Sequence, residues 1–438
     1  MEFGTYNIAF ESPNSPGKTM VFNTLSKCCV ELDNEIISSL QTGSATHLTD
    51  EEMNVLRSGL IIVQDREHER NLLKYSMNVS RFGNASMHLN IYTTFHCNFS
   101  CPYCYENASG TLRSGDMGEE TAESLLAWLE RFISGRALSL LQVRLYGGEP
   151  LCNMDRVSQL CVGLRRICNE NGVDLQSYVI TNGSLIDDSI LDTLSGINLN
   201  MVQITLDGPQ TIHDKMRPFL DGQGTYEVIM RNLEKVLSRN LTVMIRTNVN
   251  KDTIEQAKGL IDDMSGRGLV SGRNVYLELA SIYTEDWDSQ CGVDTCLDAA
   301  DYDALRRVKM HAISRGFRIR NPFFFDQCFA LAANNFEITP TGDLFSCTSF
   351  VGRSKFCLGN VSEAGFRPIY FEMMAHEPYD DECVRCPYIP ICMGGCRAQV
   401  AMETGTIGSK KCNRENLKNI TVDGLKVYYS QGWVYENS

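Results

Sequence analysis

Between residues 85 and 320 the chain alternates six times between a short apolar run and an amphipathic helical stretch, and no other feature constrains the fold as tightly. The runs fall at 87–93, 141–146, 175–181, 201–206, 241–247 and 275–280. The helical stretches fall at 118–134, 154–171, 187–195, 225–239, 252–266 and 301–315. In the first of these, Ala122, Leu125, Leu126, Leu129, Phe132 and Ile133 recur at helical spacing, as a stripe packed on a sheet must. Strand–helix–strand repeats pair in parallel through right-handed crossovers. Six repeats are too few to close an eight-stranded barrel, so the expected class is α/β, a partial (β/α)6 barrel. Such sheets carry their chemistry at the carboxyl ends of the strands.

The unusual residues stand at those ends. The first run feeds directly into Cys97-x3-Cys101-x2-Cys104. Three thiolates at a strand end can hold three corners of a cubane iron–sulfur cluster, leaving the fourth iron open to a ligand. Zinc is the competing reading, but a zinc site pairs four ligands and the fourth has no local candidate. After the second run comes Gly147-Gly148-Glu149-Pro150. Its glycines permit close backbone approach to a ligand, and its carboxylate can accept from a cationic amine. Thr181-Asn182-Gly183 follows the third run, and Thr205, Asp207, His213 and Arg217 follow the fourth. His213 reads as structural, while Arg246 and Asn248 end the fifth run facing inward.

A second constellation occupies the C-terminal third. Cys328 and Cys347 are followed by Cys383-x2-Cys386-x5-Cys392-x3-Cys396 and then Cys412. A zinc ribbon repeats the C-x2-C pair, whereas this run has one pair and then wider gaps, although two zinc sites stay open as a reading.

The remaining features set the context. Residues 1–84 read as a small α+β domain, with strands at 19–25, 28–32 and 61–63 and helices at 34–40, 50–56 and 68–82; Thr49 is the expected N-cap of the second helix. The division expected is therefore 1–84, 85–320 and 321–438. A net charge of −14 with no basic run interleaved with aromatics argues against nucleic acid. No 18-residue apolar stretch and no signal-peptide pattern occur, so a cytoplasmic protein without membrane association is expected. Many of the 18 cysteines cluster at metal-type spacings, which favours a reducing compartment over disulfides. Cys28, Cys29, Cys152, Cys161 and Cys168 read as core thiols.

The loop Cys97, Cys101, Tyr103, Cys104 resembles the signature of radical S-adenosylmethionine (SAM) enzymes, and the C-terminal cysteine order resembles the SPASM domain. The resemblance spans roughly 85–412. It implies SAM on the open iron, cleaved reductively to a 5′-deoxyadenosyl radical. By the same likeness Gly147, Gly148, Glu149 and Pro150 hold the SAM amino group, Thr205 and Arg217 meet its carboxylate, and Asn182 and Asp207 serve the ribose or orient Arg217. Three 4Fe–4S clusters are implied. Cys97, Cys101 and Cys104 hold one; Cys383, Cys386, Cys392 and Cys412 ligate a second; Cys328, Cys347 and Cys396 give three ligands to a third, with Cys357, Cys291/Cys296 or a substrate cysteine as the fourth. Family members that mature sulfatases have a cysteine where Asn334 stands and an aspartate where Thr348 stands, so both positions weaken that activity here. The expected function is a maturase that installs a thioether or carbon–carbon crosslink in a ribosomally made precursor peptide, supplied with electrons by a flavodoxin or ferredoxin. Residues 1–84 resemble a leader-peptide recognition domain, with a capping subdomain that binds no ligand as the alternative reading. Sulfatase maturation and a non-catalytic electron-transfer protein are the alternatives.

Overall fold

In the computed structural model, residues 2–42, 48–104, 115–282, 299–320, 328–377, 379–412 and 414–431 are described. Cys291, Cys296 and the acidic loop around them lie outside the described residues. Contacts group the chain into two compact units, one from 1–83, 321–333 and 374–438, the other from 84–320 and 334–373. Among the described residues no helix is long and apolar enough to cross a membrane.

The larger unit is built on one nine-stranded sheet. Its strands are β1 (Ser86–Thr94), β2 (Leu140–Gly147), β3 (Asp174–Thr181), β4 (Leu199–Thr205), β5 (Thr242–Val249), β6 (Val275–Ser281), β7 (Asn335–Ile338), β8 (Asp343–Phe345) and β9 (Gly359–Asn360). They lie in the order β6-β5-β4-β3-β2-β1-β7-β8-β9. Pairing is parallel from β6 through to β7 and antiparallel over β7, β8 and β9. Strictly sequential order with right-handed crossovers puts every helix on the same face. That is why β2 alternates buried Leu141, Val143 and Leu145 with half-buried Gln142, Arg144 and Tyr146.

The six expected strands and their helices form within a few residues of their expected places. One helix starts late, at Ala257 rather than 252, because the Asn250 carboxamide accepts from the backbone N–H groups of Asp252 and Thr253 and holds the preceding residues in turns. The seventh parallel strand, β7, was not expected; four residues within a cysteine-rich segment carry too little periodicity to announce it.

The smaller unit has an antiparallel sheet of Asn7–Glu11, Lys18–Asn23 and Cys29–Asp33 with helices Asn34–Thr42, Asp50–Ser58 and Arg66–Phe82. Thr49 caps Asp50–Ser58 in a reciprocal box with Glu52. Strand 7–11 was not foreseen. The C-terminal segment shares this unit's core: Tyr6, Leu73 and Met77 pack with Val384, Ile389 and Met393, and the Tyr6 hydroxyl donates to the Val384 carbonyl at 2.8 Å.

Candidate functional site

The cysteine loop leaves β1 and is clamped on both sides. On one side the end of β2 presses against its base. Gly147 sits at φ +137°, where a Cβ would come within 2.2 Å of the Thr94 carbonyl, and a Cβ on Gly148 would come within 2.5 Å of the Phe95 and His96 carbonyls. The close approach these glycines permit is thus to the cysteine loop's own backbone. Gly148 N–H donates to the Thr94 carbonyl (3.1 Å) and Glu149 N–H to that of His96 (2.9 Å). On the other side Ser100 N–H donates to the Pro218 carbonyl (3.0 Å), Leu220 N–H to that of Asn98 (3.2 Å), and Phe99 stands edge-on to Phe219.

Glu149 is fully buried and saturated from within the fold. It accepts from the Thr181 hydroxyl (2.8 Å), the Asn182 N–H (2.6 Å) and the Leu151 N–H (3.1 Å). Burial lifts its carboxyl to about 7 against those three donors. Pro150 opens the following turn, and its carbonyl accepts from Thr93. Asn182 donates to Asn98 (2.7 Å) and lies 3.9 Å from the Cys97 sulfur. Asn98, inside the cysteine loop, escaped the sequence analysis, although its place between Cys97 and Cys101 was a signal.

A second set of side chains converges behind Cys101 and Cys104. The Tyr103 hydroxyl donates to Asp207 and accepts from Arg217 (2.7 Å) and Asn248 (3.2 Å). Asp207 also accepts from the Asn248 N–H at 3.0 Å. Burial holds Asp207 above the usual carboxylate range while Arg217 pulls it back, and Tyr103, Cys101 and Asp207 hold Arg217 charged against its own burial. Arg217 Nε is buried without a hydrogen bond among the described residues. His213 is structural, as expected. Its Nδ1 accepts from the Asp207 N–H (3.2 Å), so Nε2 bears the proton toward Thr225 (2.9 Å), whose hydroxyl donates to the Arg217 carbonyl (2.7 Å). Thr205, at the end of β4, pairs with Arg246 of β5, and the Arg246 side chain is turned to Asn248 and Glu278.

Cys97 and Cys101 are pushed up to about 12 and about 11 by burial, with Arg217 drawing both down. Among the described residues no three His, Cys, Asp or Glu side chains converge on a single-ion site. A lone zinc needs its sulfurs about 2.3 Å from one point. The donor set suits an iron–sulfur cluster better: three thiols that feel one another's charge, an Arg217 nitrogen with no partner among the described residues and an adjacent carboxamide.

The C-terminal cysteines divide between the units. In the smaller one, Met393, Gly394 and Gly395 take left-handed φ values of 52°, 78° and 93°, a turn that aims the N–H groups of Gly394 and Gly395 at the Cys392 sulfur. Cys383 and Cys386 act on that sulfur electrostatically. The Cys328 sulfur receives the N–H groups of Ala330 and Arg397, with Cys396 nearby. Burial pushes both thiols up while the backbone N–H groups at the sulfurs pull the other way, a donor pattern that fits cluster ligation. Cys412 is exposed, next to Lys411, whose carbonyl abuts Gly395. Cys347 belongs to the larger unit and precedes the turn Thr348–Phe350. Cys357, in the same unit, donates to the Gly359 carbonyl at 3.3 Å. Cys161 and Cys168 are buried as expected, but Cys152 is exposed, because it lies on a short turn ahead of the helix rather than on its packed face. Cys28 and Cys29 are only half-buried.

Residues 91–264 match the model of the radical SAM superfamily. The radical SAM cyclopropyl synthase TigE of Paramaledivibacter caminithermalis is 21% identical over 369 residues, 78% of this chain and 73% of its own. The Fe-coproporphyrin III synthase of Methanosarcina barkeri is 22% identical over 352 residues, 72% of this chain and 84% of its own. A cysteine-type anaerobic sulfatase-maturating enzyme of Clostridium perfringens is 21% identical over 328 residues, 69% and 86%. Among solved structures, SuiB of Streptococcus suis bound to S-adenosylmethionine shares the fold at TM-score 0.54 and 15% identity, over 94% of this chain and 99% of its own.

Proposed function

The chain carries a radical SAM domain at residues 91–264, and on that premise we propose that it modifies a ribosomally made peptide by hydrogen abstraction. Cys97, Cys101 and Cys104 would hold a cluster that supplies the electron for cleaving SAM to a 5′-deoxyadenosyl radical. The observation that carries the SAM site is the Tyr103–Asp207–Arg217–Asn248 network beside those cysteines, with Arg217 Nε still to be satisfied. A guanidinium whose Nε donor is unspent suits the SAM carboxylate, and Gly147 and Gly148 lock the cysteine loop in place for it. Glu149, Asn182 and Thr205 complete the wall of this site, with Glu149 acting through Asn182 rather than as an exposed acceptor.

The peptide reading has separate support. Fold likeness to SuiB covers 94% of this chain, and residues 1–84 would receive a leader segment. A thioether or carbon–carbon crosslink is the modification proposed, with the C-terminal cysteines holding two further 4Fe–4S clusters and a flavodoxin or ferredoxin as the electron source in the cytoplasm. Sulfatase maturation is the second reading, favoured by the Clostridium perfringens relative. Against it, Asn334 and Thr348 stand where sulfatase-maturing members of the family resembled have a cysteine and an aspartate.

The test is anaerobic incubation of the reconstituted enzyme with SAM and dithionite, first alone and then with synthetic cysteine-containing precursor peptides and a sulfatase-motif peptide. Formation of 5′-deoxyadenosine supports SAM cleavage, and its absence from iron-replete enzyme overturns it. Loss of two hydrogens from a precursor peptide supports crosslinking. Formylglycine in the sulfatase-motif peptide would establish the second reading instead.

A further inference from the structure

The largest fully buried side chain among the described residues is a cation, Arg397, 1% exposed at the start of the helix Arg397–Thr404. Its partners are all neutral. Nη1 donates to the carbonyls of Ile407 and Ser409 (both 3.0 Å) and to His376 Nε2 (3.0 Å), Nη2 to the Gly394 carbonyl, and Nε to that of Gly395 (3.3 Å). Carbonyls satisfy its hydrogen bonds, but no carboxylate pairs with it among the described residues. A buried charge without a counterion is costly enough that the fold must supply one. The groups that do act on this guanidinium are the sulfurs of Cys328, Cys396 and Cys392. Its own backbone N–H points at the Cys328 sulfur, and the loop it staples, 394–395, supplies the N–H groups that point at Cys392.

Those sulfurs fall in different cluster sets, Cys392 in one and Cys328 with Cys396 in the other. We propose that Arg397 is a positioning residue shared by two C-terminal iron–sulfur clusters, the fixed countercharge that makes both easier to reduce than their cysteines alone would allow. This rests on the reading that the C-terminal cysteines hold clusters, since thiolate-ligated cubanes are anionic and gain a further negative charge on reduction. The charge is delivered at low dielectric, where it acts far more strongly than at a solvated surface. Arg81 is a second buried guanidinium near Cys328, with Tyr379 and Glu377 acting on it ahead of that sulfur. It is buried, donates to the carbonyls of Leu331, Met374 and His376, and acts on Cys328.

The experiment is an EPR-monitored redox titration, with iron analysis, of the full-length reconstituted enzyme and its Arg397→Gln and Arg397→Lys variants. Arg397→Gln should lower the reduced-to-oxidised ratio of the C-terminal clusters at fixed potential by about tenfold, equivalent to about 59 mV for one electron. Arg397→Lys keeps the charge and should stay within about threefold of the wild type, even if the loop loosens. A Gln variant with full iron and an unchanged midpoint overturns the proposal, as does a Lys variant that shifts as far as Gln. Should Arg397→Gln fail to retain iron, Arg81→Gln must lower the couple associated with Cys328, and an unchanged couple there overturns the proposal equally. If the wild type holds no iron beyond what substitution of Cys97, Cys101 and Cys104 removes, the cluster reading itself fails and the inference falls with it.

Discussion

Tyr103 donates its hydroxyl to Asp207 and accepts from Arg217 at 2.7 Å, so one phenol ties the cysteine loop to the segment that follows β4. The tie joins residues more than a hundred positions apart, in a place where burial makes each partner depend on the others. Removing one member leaves the rest with unspent donors or charge.

Tyr103→Phe keeps the ring and deletes the hydroxyl. Arg217 should then turn to Asp207 directly, 3.9 Å away in the intact network, and lose its aim at a ligand. SAM affinity should fall about tenfold, about 1.4 kcal/mol, with iron content unchanged. Equilibrium dialysis of the reconstituted variant measures this, and undiminished affinity would show that the network serves only the fold.

Gly147→Ala and Gly148→Ala should each be severely destabilising. The new methyl at Gly147 would lie 2.2 Å from the Thr94 carbonyl in a left-handed backbone, so neither rotation nor a side-chain shift relieves it. We expect a loss of about 2 kcal/mol or more and poor iron retention. Urea unfolding reads the first and iron analysis the second. Gly172→Ala, also at positive φ (65°) but with nothing within 4 Å, should cost less.

His213 supplies a pH dependence with a definite sign. Burial pushes the imidazole down to about 3, so between its unfolded value near 6.5 and that figure the unfolded chain binds a proton that the folded one refuses. Stability contributed by neutral His213 is full above the unfolded value and is lost as pH falls through this window. Between pH 6.5 and pH 5 the loss should be about 2 kcal/mol. In His213→Gln the unfolding free energy from urea titrations should fall by about 2 kcal/mol less between pH 6.5 and pH 5, and an identical fall would exclude this role.

Joint replacement of Cys97, Cys101 and Cys104 by alanine should remove about four iron atoms per chain. It should abolish 5′-deoxyadenosine formation while the C-terminal cysteines keep their own iron. Iron analysis and EPR of the variant measure this. Complete loss of iron would instead mean that the cysteine sets fold as one.

The strand and helix order was readable because each barrel element carries its own periodicity. Leu141, Val143 and Leu145 alternate whatever lies next to them. Local capping was equally readable at Thr49, whose partner Glu52 is three residues away. Strand β7 was hidden because its four residues gain meaning only from pairing with His88–Ile91, far off in the chain. The Gly-Gly pair could be picked out, but not its partner, since the Thr94–His96 backbone it admits is some fifty residues earlier.

By itself the sequence determined the alternation of strands and helices, the three-cysteine loop at the end of β1 and the cysteine order of the C-terminal third. All of these are written in spacings of a few residues. Only tertiary structure decided that Glu149 is turned inward onto Asn182, that Tyr103 bridges Asp207 and Arg217, and that Arg397 is a buried cation on which the sulfurs of Cys328, Cys396 and Cys392 act. The physical reason is that burial and hydrogen-bond partnership belong to pairs of distant residues. The charge state of Glu149, Asp207 or Arg397 follows from which neighbours replace water around it, and no local spacing records that.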